Sequence, residues 1–237
     1  MGQSYFIWKG IDCRAMGVKL GGPAAIIRPE ERAEHITIPG RSGDLTLLQG
    51  EDVYNSYIQT VTVMAHGAAR MQKIYDWLRG SGYVTFSGEP EKKQAARIIG
   101  AVTLNRHSTN MDWWEGEVQF YCQPLKEKIH AETVEVTSSG TGVANTGDVA
   151  ARPKITVTAS STSFTVAAGG NSLTVSSVTS GSSYIVDCDA MEVTNAAGDT
   201  VLTGNSTGKF PVLKPGSNSV TGSGWSKLVI DRRERFL

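Results

Sequence analysis

From about Val134 onward the chain reads as a series of short alternating segments separated by turn residues, and no other feature restricts its fold so strongly. The segments are Ile155–Thr158, Ser163–Val166, Ser172–Val175, Tyr184–Cys188, Met191–Val193, Val201–Leu202 and Lys227–Asp231. Ala168-Gly169-Gly170-Asn171 and Asn195-Ala196-Ala197-Gly198-Asp199 are turn signals between them. In a strand, alternate side chains share a face, so this pattern buries one face of each segment. Several such strands at intervals of about 8–12 residues, with no helical periodicity, predict an antiparallel β-sandwich over residues 137–237. The Ser-, Gly- and Thr-rich stretch Thr137–Asp148 is the expected joint with what precedes it, or equally a strand-flanked crossover.

Residues 1–136 predict a mainly β domain with one α-helix. Ile58–Met64 alternates and is rich in β-branched residues, as in a half-buried strand. Over Ala68–Arg79, Met71, Ile74, Tyr75 and Leu78 fall at i, i+3, i+4 and i+7, one apolar stripe on a helix of about three turns. Gly80 and Gly82 supply its stop. Further strands are expected at Tyr83–Phe86, Arg97–Leu104 and Glu117–Cys122, with a hairpin tip at Arg106–Met111. Pro124, which has no N–H to donate, is predicted to end the last strand. Residues 22–56 contain Pro23, Pro29 and Pro39, several Gly and only short apolar runs. They predict an extended arm or long hairpin without a core of its own. Its apolar and charged side chains Ile26, Ile36, Arg41, Leu45 and Leu47 are candidate contacts between copies.

The charge pattern gives no footprint for nucleic acid. There are 23 basic and 23 acidic residues, and each half is balanced: residues 1–137 carry 15 and 16, and the remainder 8 and 7. Near neutrality also leaves assembly of like copies unopposed by long-range repulsion. The opening Met1–Lys9 turns polar too soon for a signal peptide, and no run reaches the ~18–20 apolar residues of a membrane helix, so a soluble protein without membrane insertion is expected. Cys13, Cys122 and Cys188 are far apart and have no CxxC spacing, which predicts buried reduced thiols.

A search for chemistry finds no catalytic constellation. His35, His66, His107 and His130 have no second ligand at i+3 or i+4, so no metal and no cofactor is expected. Gly40-Arg41-Ser42-Gly43 lacks nucleophile-elbow spacing, and Ser206-Thr207-Gly208-Lys209 matches S-x-x-K without companion motifs. Asp187 and Asp189, at alternate positions of a strand end, are the one conceivable acid pair, against the commoner reading of solvated strand-end charges. Adjacent Trp113 and Trp114 must point to opposite faces of a strand, so they cannot form one platform. Trp225 is a candidate for stacking on a sugar ring.

Several turn motifs stand in a fixed order. In the first half they are Phe6-Ile7-Trp8-Lys9-Gly10, Ile38-Pro39-Gly40-Arg41-Ser42-Gly43-Asp44-Leu45, Ile74-Tyr75-Asp76-Trp77-Leu78-Arg79-Gly80 and Val118-Gln119-Phe120-Tyr121-Cys122-Gln123-Pro124. In the second they are Asn145-Thr146-Gly147, Arg152-Pro153-Lys154-Ile155, Ile185-Val186-Asp187-Cys188 and Gly208–Asn218. In this order and spacing, over nearly the whole chain, the sequence resembles the distal tail proteins of siphophages and related prophages. The resemblance implies a split-barrel-like α+β ring domain followed by a galectin-like sandwich. It implies a non-enzymatic ring, usually of six copies, assembled in the host cytoplasm and placed at the virion tail tip. Its partners would be further copies, the tail-tube protein, a tail-tip or baseplate protein and a docked receptor-binding protein. The alternative is a carbohydrate-binding module for attachment to the host envelope. A cell-wall hydrolase acting through Asp187 and Asp189 is a third possibility.

Overall fold

The computed structural model describes residues 4–108, 111–130, 132–198 and 202–237. Contacts divide the chain into two compact units that change over between Ile129 and His130.

In the first unit β1 (Phe6–Trp8), β2 (Ile11–Asp12), β3 (Val18–Leu20), the separate pair β4 (Ala33–Ile36) and β5 (Leu45–Leu48), and β6 (Tyr57–His66) precede the helix α1 (Met71–Trp77). β7 (Ser81–Phe86), β8 (Lys92–Ser108) and β9 (Met111–Lys128) follow it. Seven of these strands form one antiparallel sheet in the order β2-β1-β7-β8-β9-β6-β3. Alternation decides its two faces. Val61, Val63, Val118 and Phe120 point into a core with Phe6, Trp8 and the helix, while Ile58, Thr60, Gln119 and Tyr121 point outward. Full burial of a large apolar side chain such as Phe120 or Ile74 contributes about 1.5–3 kcal/mol.

The helix is shorter than the stripe suggests. Ala68–Arg70 is a 3₁₀ turn, and the α-helical part ends at Trp77. Leu78 leaves helical geometry at ψ 58, and Gly80 adopts φ 75. The Trp77 carbonyl, which a longer helix would use, instead accepts from the Trp8 indole and from the Arg79 N–H. Met71, Ile74, Trp77 and Leu78 are nonetheless buried together, so the stripe still seats the helix on the sheet.

β8 and β9 form one long hairpin that pairs out to Ser108↔Met111, and the two residues at its tip, 109–110, lie outside the described residues. Pro124 does not end β9. Between Gln94↔Lys126 and Ala96↔Cys122 three residues of β9, Gln123, Pro124 and Leu125, oppose the single Ala95 of β8, and this bulge takes up the missing N–H. The Gln94 side-chain amide donates to the Gln123 carbonyl at 2.5 Å inside it. A second irregularity lies in β8 between Ile99↔Gln119 and Thr103↔Glu117, with Gly100 at φ 70. There the Thr103 carbonyl oxygen comes within 1.9 Å of where a Cβ on residue 116 would stand, so only Gly116 fits.

The second unit is the sandwich that the alternation predicts. One sheet has β10 (Thr133–Val136), β12 (Lys154–Ala159), β15 (Ser183–Asp187), β16 (Glu192–Asn195) and β19 (Trp225–Asp231), ordered β10-β19-β12-β15-β16. The other has β11 (Thr141–Asn145), β13 (Ser163–Ala168), β14 (Asn171–Ser176), β17 (Ser206–Gly208) and β18 (Gly216–Ser223), ordered β11-β18-β13-β14-β17. Ile155, Val157, Phe164, Val166, Leu173, Val186, Leu228 and Ile230 belong to one core supplied by both sheets.

Thr137–Asp148 is not a joint. β10 pairs with β19 and β11 with β18, which draws residues 133–145 into the sandwich and sets the change of unit ahead of the expected 136/137. Of Val201–Leu202, position 201 lies outside the described residues, and Leu202 is not in a strand. Asn145 explains its own motif: its side-chain amide donates to the Val149 and Leu213 carbonyls, and its oxygen accepts from the Gly147 N–H. Asn218 braces the Lys214–Asn218 turn in the same way, with Gly216 at φ 92.

Candidate assembly surface

Residues 22–56 contain one hairpin. β4 and β5 pair only with each other, in the register Ala33↔Leu48, Glu34↔Leu47, His35↔Thr46 and Ile36↔Leu45. The turn between them is made by Pro39, Gly40 at φ 83 and Gly43 at φ 79, with the Arg41 N–H donating to the Ile38 carbonyl at 3.1 Å. Thr37 Oγ1 donates to Asp44 across its mouth. The base is closed by the Arg32 N–H to the Val53 carbonyl and the Asn55 N–H to the Glu30 carbonyl.

This hairpin has almost no core. Ile26 is 68% exposed, Leu48 62%, Leu47 44% and Ile36 36%, and Arg41 is exposed at the turn. Leu45 is half-buried. Directly opposed residues share a face, so Ile36, Leu45 and Leu47 lie together with Glu34 on one side. Three of the five side chains singled out in the sequence thus converge. Ile26 and Arg41 lie outside both strands of the hairpin.

A second surface escaped the sequence reading. On the outward face of the large sheet, Ser81, Arg97, Tyr121 and Ile58 form one row across β7, β8, β9 and β6. Tyr83 stands two residues from Ser81 on the same face, with the Lys93 ammonium 4.7 Å from its ring centroid. Ile58, Tyr83 and Tyr121 are all exposed. The available signal was apolar and aromatic residues at solvent-side positions, where alternation leads one to expect polar ones.

The remaining candidates have structural employment. Trp225 is not available to a sugar: it is nine-tenths buried in the sandwich core, and its indole N–H donates to the Thr165 carbonyl at 3.0 Å. Trp113 and Trp114 do face opposite ways. Trp113 lies on the outer side beside His66 and Lys19, and Trp114 packs against the core with its N–H on Asp112. Asp187 receives both Arg233 guanidinium nitrogens at 2.8 and 3.0 Å, and Asp189 receives Arg235 at 2.9 Å. Burial works against the charged form of Asp187, but the Ala190 N–H and Arg233 outweigh it and hold its pKa below the usual value. Two carboxylates each clamped by an arginine do not share a proton as an acid–base pair would.

Cys13, Cys122 and Cys188 are free and buried, and burial pushes the thiols of Cys122 and Cys188 up to about 12. Among the described residues no group of three His, Cys, Asp or Glu is placed to hold a metal, and no helix is long and apolar enough to cross a membrane.

No protein-family model matches the chain, and no curated protein matches it in sequence. Its structure, however, superposes on the crystal structure of the SPP1 Dit protein with a TM-score of 0.81, at 19% identity and over 100% of both chains. The chain has the Dit fold. That SPP1 protein is described as a paradigm of the hub adsorption apparatus in phages that infect Gram-positive bacteria. The Dit fold comprises both units of this chain, the α+β sheet unit and the sandwich alike, since neither protein has a part left unmatched.

Proposed function

We propose that the chain is a distal tail protein: a structural subunit of the siphophage tail tip that closes, as six copies, into a ring. In this reading the ring joins the end of the tail tube to the tip or baseplate, where a receptor-binding protein docks, and it carries out no reaction. The observation that supports it most is the match to the SPP1 Dit protein along the full length of both chains. A tail hub needs a rigid scaffold and complementary surfaces, and exposed apolar side chains of the first unit, Ile36 and Leu47 on the hairpin and Ile58, Tyr83 and Tyr121 on the sheet, supply candidates for them. The first unit builds the ring and its channel, with the arm reaching toward the next copy. The protein is assembled in the host cytoplasm and resides in the virion tail.

Negative-stain electron microscopy of the purified protein, alone and with its tail-tube and tail-tip partners, is the deciding experiment. Closed rings of six copies are expected. A chain that remains monomeric at high concentration with those partners present contradicts the reading.

A further inference from the structure

Two apolar surfaces of the first unit lack a cover, and each has one unpaired charge at its centre. On the hairpin, Glu34 lies beside Ile36, Leu45 and Leu47. On the sheet, Arg97 lies between Ser81 and Tyr121 in the row that ends at Ile58, over a shallow hollow of about 550 Å³ that Tyr83 also lines. Both are exposed, and among the described residues neither has an ion pair or a side-chain hydrogen bond. The signs are opposite. The arm as a whole is acidic, with six carboxylates (Glu30, Glu31, Glu34, Asp44, Glu51, Asp52) against three arginines (Arg28, Arg32, Arg41), whereas the sheet row has Arg97 with Lys93 nearby.

We infer that the Glu34 face of the β4–β5 hairpin docks on the Arg97 row of a second copy, with Glu34 and Arg97 paired across the contact. This rests on the ring reading above and supplies its contact surface. Either charge alone would be costly to bury under an apolar cover, and the two together satisfy each other. The two faces differ, so the contact is heterologous: each copy offers its hairpin to one neighbour and its sheet to another, as a ring requires. Exposed aromatic residues and an arginine are also the side chains that anchor protein interfaces most strongly.

Cross-linking tests the contact separately from ring closure. Full-length Glu34→Cys and Arg97→Cys variants are mixed and treated with a short bismaleimide; the three native thiols are buried. In the mixture, a cysteine on one copy's hairpin meets a cysteine on the other copy's sheet, while the complementary contact keeps its native pair. A cross-linked dimer is expected in the mixture, about tenfold or more above either variant alone. In parallel, Glu34→Arg and Arg97→Glu should each reduce the assembled fraction about tenfold, and the double variant should restore it. Wild-type rings without a mixture-specific cross-link, or a double variant no better than the singles, overturn the docking and leave the ring reading intact. Neither assembly nor cross-link, with tube and tip proteins present, overturns both. A cross-link accompanied only by open filaments upholds the docking and removes the closed ring.

Discussion

The indoles of Trp8 and Trp77 exchange hydrogen bonds with each other's backbone: Trp8 Nε1 donates to the Trp77 carbonyl at 3.1 Å, and Trp77 Nε1 to the Trp8 carbonyl at 3.2 Å. The pair pins the end of α1 to β1, and Phe6 stacks on Trp77 with centroids 5.6 Å apart. Trp77→Phe keeps an aromatic ring but removes one donor in a buried site. It should cost the first unit about 1–3 kcal/mol. Hydrogen exchange should show faster opening in β1 and α1 and unchanged protection in β12 and β19; uniform loss across both units would refute this assignment.

Trp225 should matter for stability and not for sugars. Trp225→Ala opens a cavity in the sandwich core and should cost about 3–5 kcal/mol in denaturant unfolding. A milder Trp225→Phe variant should remain folded, with its response to host wall polysaccharide indistinguishable from wild type. Glycan binding that disappears in folded Trp225→Phe protein would reinstate the stacking role.

Lys126, whose side chain is only 6% exposed, is held by Glu89 at 2.6 Å, and the same carboxylate takes Lys92 at 2.7 Å. Removing the carboxylate leaves a buried ammonium without its counter-ion, so Glu89→Gln should destabilise by about 3–5 kcal/mol, more than Lys126→Met. Burial opposes ionisation of Glu89, but the two lysines outweigh it and its pKa is lowered. A lowered folded pKa gives stability that is complete above the unfolded carboxyl value, about 4.3, and is lost as pH falls through the lower folded value. Acid unfolding followed by circular dichroism should therefore show a weaker dependence below that pH in Glu89→Gln.

The thiols should be silent in the native protein. Burial raises the pKa of Cys13 and pushes Cys122 and Cys188 up to about 12, so at pH 8 little thiolate is present and none is accessible. A chromogenic disulfide reagent should label three thiols after denaturation and none before it. Fast labelling of any one in native protein would contradict the burial.

Deleting Ala24–Leu48 removes the hairpin and its exposed apolar face. The sandwich has its own core, so circular dichroism should still report folded β structure. Rings should be absent from electron micrographs, and their persistence would exclude the arm from contacts between copies.

Much of the sandwich was legible because β12, β13, β14, β15 and β19 alternate cleanly and one face of each is buried. β18 was not, since Gly216-Ser217-Asn218-Ser219-Val220 reads as a loop until Asn218 and Val220 are buried between neighbours. In the first unit the sequence carried the apolar stripe of the helix but not its length, which a hydrogen bond from a distant indole curtails. It carried the stop signal of Pro124 but not the bulge that absorbs it.

Local chemistry, namely alternation, glycine and proline turns and a thin core in the arm, determined by itself that this chain is mainly β, two-part and furnished with an exposed hairpin. Tertiary structure alone decided which face of that hairpin is apolar, that Trp225 is sealed inside, and that Arg97, Tyr121 and Ile58 form one row. The physical reason is register. Cross-strand pairing joins residues tens of positions apart, and no local pattern specifies which of them become neighbours.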